Sequence, residues 1–98
     1  MGTEKCHEFL PLELGKVCMT PAAKRALMEA NMHPWPLILR HQNGDWGDLE
    51  AADKATNNDA ARNGLRVMSS YPIRSGLTVW IITEADRSVT TVLLPSDY

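Results

Sequence analysis

The stretch from Leu77 to Pro95, LTVWIITEADRSVTTVLLP, constrains the fold of this chain more than any other. Two runs rich in Val, Ile, Trp and Thr flank the polar segment Glu84-Ala85-Asp86-Arg87-Ser88, and each has the length and β-branched content of a strand. That pattern predicts a β-hairpin. Leu77, Val79 and Ile81 alternate with Trp80 and Ile82, so the first strand is apolar on both faces and is expected inside a sheet covered on both sides. Just upstream, Leu65, Val67 and Tyr71 alternate with Arg66, Met68 and Ser70, and Arg74-Ser75-Gly76 turns this third strand into the hairpin. The C-terminal third therefore reads as a three-strand meander.

The upstream part reads as helices preceded by one short edge strand, Lys16-Val17-Cys18-Met19. Thr20-Pro21 is a helix start, with a side-chain oxygen at the cap and a proline where its missing N–H is harmless. Ala23, Ala26, Leu27 and Ala30 then form one buried stripe, and Asn31 is the expected C-cap. His33-Pro34-Trp35-Pro36 breaks the helix, since each proline restricts its predecessor and lacks a donor. Pro36 opens a second, shorter helix to about Asn43-Gly44, expected to be well buried because its apolar residues point several ways. Gly44 to Leu49 is a turn by composition, with Asp48 a cap for a third helix from Leu49 to Asn63. Leu49, Ala52, Thr56 and Ala60 give that helix a narrow apolar stripe, and Asn63-Gly64 ends it. The predicted fold is α+β: an antiparallel sheet of three to four strands packed with two to three short helices.

Ninety-eight residues suit a single domain spanning 1–98, with residues 1–12 expected as a loosely attached N-terminal arm that packs Phe9 and Leu10 onto the body. Twelve acidic and ten basic residues lie evenly along the chain, a net charge of -2, so the basic footprint of a nucleic-acid binder is missing. No run approaches the ~20 apolar residues of a membrane span, and the N-terminus lacks the pattern of a signal peptide. A cytoplasmic protein, with Cys6 and Cys18 as free thiols, is the expectation.

Three segments also carry a family likeness: Leu14-Gly15 through Thr20-Pro21, then Arg40-His41 with GDWGDL through Tyr71, then WIITEADRS with TT, LLP and Tyr98. Over Leu12 to Tyr98, nearly nine tenths of its length, the chain resembles a family of small proteins of bacterial plasmids and integrative elements. The resemblance implies a mobile-element setting and carries over no catalytic residue. His33-Pro34-Trp35-Pro36 and the N-terminal arm stand outside it.

Two polar segments are the candidate binding residues. Glu84, Asp86 and Arg87 at the hairpin end offer carboxylates and a guanidinium for a ligand or for a partner's charges. Alternatively, Asp86 and Ser88 shape the turn while Glu84 and Arg87 pair across it. Asp45, Trp46 and Asp48 form the second segment, in which Trp46 anchors a partner or folds back as a lid on the core. Asn57, Asn58 and Asp59 are poor mid-helix residues and mark either a polar contact or a solvated face. Cys6, His7, Cys18, His33 and His41 lack the paired spacing of a zinc site, and no glycine loop suits a phosphate, so no metal or cofactor is expected. Ser69, Ser70 and Cys18 have no nucleophile motif around them. Another protein is the expected partner, with a homodimer through the Trp80 face of the sheet as one form of contact. An inhibitor of host defence, of the anti-CRISPR or anti-restriction kind, is one concrete version. The rival is a small-ligand or catalytic pocket between the GDWGD loop and the hairpin end.

Overall fold

The computed structural model describes residues 10–74 and 76–98. In chain order its elements are β1 (Lys16–Met19), α1 (Pro21–Glu29), α2 (Trp35–Gln42), α3 (Ala51–Asn63), β2 (Val67–Pro72), β3 (Thr78–Thr83), β4 (Val89–Leu93) and a final 3-10 turn, Pro95–Asp97. The four strands form one sheet in the order β1-β4-β3-β2. The meander is present as predicted: Val67 faces Thr83 across the β2–β3 pair, and Trp80 faces Leu93 across β3–β4. β1 joins β4 in parallel, with Lys16 opposite Val89 and Met19 opposite Val92. The fold is α+β with a mostly antiparallel sheet.

All three helices lie over one face of this sheet. Ala23, Ala26, Leu27 and Ala30 of the first helical segment pack with Leu37 and Ile38 of α2 against Tyr71, Val79, Ile81 and Val92. Ala60 and Ala61 of α3 pack with Leu12 and Trp46 against Val67, which shares a face with Tyr71 because side chains alternate along β2. Among the described residues no helix lies across the opposite face, which carries Trp80 and Ile82. The C-terminal turn reaches it, with the Tyr98 ring edge-on to Trp80 at 5.7 Å, and Leu49, Asp53 and Thr56 adjoin Met68 at its β2 margin. Coverage on both sides is thus only half met: Ile82 is 3% exposed, whereas Trp80 is half-buried.

Local chemistry explains most of the element ends. Thr20 Oγ1 accepts from the Ala23 N–H at 3.1 Å, as the cap reading requires. The helix closes on Ala30, and Asn31 follows it in the left-handed region at φ 57. α2 differs from expectation. A single helix layer leaves each helix with one wet side, so Leu37, Ile38 and His41 are buried while Trp35 and Leu39 are 54% and 51% exposed. Glu50, not Asp48, occupies the N-cap position of α3, without a side-chain capping bond, and the buried residues of the helix are Asn57, Ala60 and Ala61; Ala52 and Thr56 face solvent. Residues 10–12 belong to the body. Leu12 is 2% exposed, donates its N–H to the Gln42 carbonyl at 2.8 Å and accepts from the Gln42 amide at 3.1 Å. The rest of the expected arm, including Cys6, His7 and Phe9, lies outside the described residues. Among the described residues no helix is long and apolar enough to cross a membrane.

Candidate functional site

The hairpin end is built around the C-terminus of α3. A helix leaves its last carbonyls short of intrahelical partners, and here one guanidinium reaches two of them, Ala60, which also accepts from the Gly64 and Leu65 N–H groups, and Ala61. Arg87 donates through Nη1 to the Leu65 carbonyl at 2.7 Å and to that of Glu84 at 3.1 Å, and through Nη2 to Ala60 at 3.1 Å and Ala61 at 3.3 Å. A positive charge there also complements the helix dipole. The expected Glu84–Arg87 side-chain pair is not made, because α3 ends beside the tip and offers Arg87 several carbonyls at once. Glu84 instead lies 3.7 Å from Arg66. Asp86 does shape the turn: its Oδ1 accepts from the Ser88 N–H at 3.0 Å, and its bonds to Ser88 hold the exposed carboxyl below the usual range.

The GDWGD loop closes the outer edge of β2. Trp46 is 3% exposed and donates its indole N–H to Asn58 Oδ1 at 2.9 Å, which is the core-lid arrangement. The Ser70 N–H donates to the Trp46 carbonyl at 3.1 Å, and the Asp48 N–H to the Ser70 carbonyl at 2.6 Å. One step along, the Asn57 side-chain amide holds Met68 from both sides, donating to its carbonyl at 2.5 Å and accepting its N–H at 3.2 Å. The next outward residue is Pro72, which has no N–H. Asp45 ties the loop down: its carboxylate accepts from Arg40 Nε at 2.7 Å, a bond that lowers its pKa, and its carbonyl accepts from the Tyr71 hydroxyl at 2.6 Å. Burial pushes that phenol up to about 12, so it stays protonated and donating. The Asp48 carboxylate faces solvent. Both candidate segments therefore meet on α3, Trp46 at Asn58 and Arg87 at the helix end.

Beneath them runs a polar chain that sequence spacing does not reveal. His41 Nδ1 lies 2.6 Å from Ser69 Oγ, His41 Nε2 2.8 Å from Thr83 Oγ1, Thr83 Oγ1 2.7 Å from Thr90 Oγ1, and Thr90 donates to the Leu14 carbonyl at 2.7 Å. All four side chains are inaccessible to solvent. Burial, with a smaller contribution from the charge of Arg87, pushes His41 down to about 4, so the imidazole is neutral near pH 7. A serine beside a histidine has the outline of a nucleophile and its base, but here no substrate reaches Ser69 and the far ring nitrogen meets a threonine, not a carboxylate. The one sequence hint is that His41, Ser69, Thr83 and Thr90 are small or polar groups at core-facing positions of their elements.

Searched against protein-family models, curated proteins and solved structures, the chain matches none.

The remaining features lie at the other edge of the sheet. Lys16 and Thr20 donate their N–H groups to Ser88 and Val92, so alternation along β1 turns the N–H and C=O of Val17 and Met19 away from β4. Among the described residues nothing bonds those groups. Beside this open edge, a hollow of about 190 Å³ lies between β1 and the start of α2, walled by Val17, Met19, Pro34, Trp35 and Ile38. A second, of about 370 Å³, adjoins it and includes Lys24, Met28 and Met32. None of Asp45, Trp46, Asp48, Glu84, Asp86 and Arg87 lines either hollow. Cys18 is a free thiol, and among the described residues no three His, Cys, Asp or Glu side chains cluster as metal ligands would.

Proposed function

We propose that this chain is a non-enzymatic accessory protein of a mobile genetic element that acts in the cytoplasm by binding another protein, an inhibitor of host defence or restriction machinery being one concrete form. The observation that carries the reading is the asymmetry of the sheet. One edge is shut by Asn57 and the GDWGD loop, while among the described residues nothing pairs with the other, which is bordered by Met28 and Trp35, 69% and 54% exposed. Exposed large apolar side chains grouped beside unpaired backbone groups are a usual mark of a protein interface. The motif resemblance supports the mobile-element setting. The pocket alternative has less behind it, since Trp46 and Arg87 are committed to bonds within the fold. A homodimer through the Trp80 face is likewise less favoured, because Tyr98 already packs there.

The test is affinity capture from a bacterial host with the full chain and with its Met28→Glu, Trp35→Glu variant as parallel baits. The retained protein is identified by mass spectrometry and its binding reconstituted from purified components. One host protein held by the wild type and lost by the variant is the expected result. Identical profiles on the two baits would overturn the proposal.

A further inference from the structure

We infer that the open edge of β1 receives an extended, acidic segment of the partner as a fifth strand of the sheet. This rests on the protein-binding reading and specifies how the partner is recognised. An open edge calls for a particular occupant. The outward N–H and C=O groups of Val17 and Met19 are complemented by an extended backbone, and alternate side chains of an added strand fall on one face. On that face the apolar hollow of about 190 Å³ under Val17, Met19 and Trp35 takes a nonpolar side chain.

Charge sets the rest of the partner's chemistry. Lys16 is exposed on β1 itself, Lys24 is exposed on α1 beside the second hollow, and Lys24 and Arg25 border a third, shallow one along α1 with Pro21, Met28 and Glu29. Among the described residues none of the three makes an ion pair, and Glu29 is the one acid lining these hollows. Around these hollows bases therefore outnumber acids in a chain whose net charge is -2, while the Asp97 carboxylate at the far end of β1 is engaged by the Thr20 hydroxyl and the Leu94 N–H. A second copy of this chain is a poorer occupant. A two-fold interface must meet its own charges, and this rim has too few acids to answer its bases. Lys16 and the shortness of β1 restrain indiscriminate pairing and favour a strand bearing Glu or Asp.

The probe is a short fluorescein-labelled peptide alternating Glu with Val and Leu, set against its counterpart with Lys in place of every Glu. With the full chain, the Glu peptide is expected to bind about tenfold or more tightly than the Lys peptide by fluorescence anisotropy. Val17→Pro removes one outward N–H without touching the β4 ladder, and is expected to weaken the Glu peptide about tenfold with the circular dichroism unchanged. Lys24→Glu with Arg25→Glu changes only exposed side chains and is expected to reverse the preference. Hydrogen exchange followed by NMR should slow at the Val17 and Met19 amides when the Glu peptide is added. Equal binding of the two peptides, or protection that arises elsewhere, overturns the inference. So does protection that rises with protein concentration alone, since the occupant is then a second copy. The broader reading is judged separately by host capture: a reconstituted partner held equally by wild type and Val17→Pro sinks the edge site and leaves partner binding standing.

Discussion

His41 Nε2 lies 2.8 Å from Thr83 Oγ1 and donates to it, a direction fixed at the far end of the polar chain. The Leu14 carbonyl can only accept, so Thr90 spends its proton there. Thr90 then accepts from Thr83, and Thr83 from His41, which leaves His41 Nδ1 bare to accept from Ser69. Nitrogen NMR should accordingly show the Nε2–H tautomer, persisting on acidification to about pH 4. The sign of the stability effect follows. Above the unfolded pKa of about 6.5 both states hold a neutral ring and the contribution is flat. Between there and about 4 only the unfolded state takes a proton, so stability falls with pH, by about 3 kcal/mol in all. His41→Gln should flatten that window. The lowered carboxyls of Asp45, Asp86 and Asp97 act below it, under about pH 3.9. Wild-type stability unchanged from pH 6.5 to 4 would contradict the buried, neutral histidine.

Arg87 is expected to matter for folding. Arg87→Ala withdraws a guanidinium from four carbonyls, those of Ala60 and Ala61 in the last turn of α3, of Leu65 just past it and of Glu84 in the hairpin, and urea denaturation should show a loss of about 1–3 kcal/mol. Arg87→Lys keeps the charge but not the fork, and should recover only part of it. Both variants keep a side chain at φ 62, so backbone strain cancels between them. Glu84→Gln breaks an exposed 3.7 Å pair and should cost under about 0.5 kcal/mol. Equal midpoints for Arg87→Ala and wild type would rule out the helix-end role.

The meander, the Thr20 cap, the Ala23 to Ala30 stripe and the Gly64 stop are all legible in the sequence, because each depends on residues close together in the chain. What the sequence hides is long-range. Asn57 looks like a weak mid-helix residue until Met68, eleven positions on, presents both its N–H and its C=O to it. His41 reads as the polar end of a short helix until β2 and β3 bring Ser69 and Thr83 to its two nitrogens. Trp46 shows the same limit, since only the placement of α3 separates a lid from an anchor. β1 is legible as an edge strand, yet nothing local shows that the opposite edge is sealed while this one is open.

Two tryptophans in this fold should respond differently to truncation. Trp46 is almost fully buried with its indole N–H bonded, so Trp46→Ala should cost about 3–5 kcal/mol. Trp80 sits on the helix-free face, half-buried against Tyr98, and Trp80→Ala should cost about half as much, in proportion to the area it hides. Chemical denaturation of both variants in one buffer makes the comparison. A larger loss at Trp80 would mean that its face is covered more fully than Tyr98 alone achieves.

Gly47 and Gly76 offer a matched test of whether the GDWGD loop seals β2. Their backbones are nearly alike, at φ 79 and φ 80, so an alanine at either carries a similar left-handed penalty of about 1–2 kcal/mol. Their surroundings differ. A Cβ on Gly47 would run into the Ser70 carbonyl oxygen and the Tyr71 ring, whereas one on Gly76 meets nothing within 4 Å. Gly76→Ala should therefore show the backbone cost alone. Gly47→Ala must also lift the loop away from Ser70, freeing the N–H and C=O that Trp46 and Asp48 now occupy, for a further loss of about 2 kcal/mol. An opened β2 edge would then pair with other chains, so Gly47→Ala, and not Gly76→Ala, should show concentration-dependent association by light scattering. If both variants stay monodisperse and lose equal stability, the loop is not what keeps that edge closed.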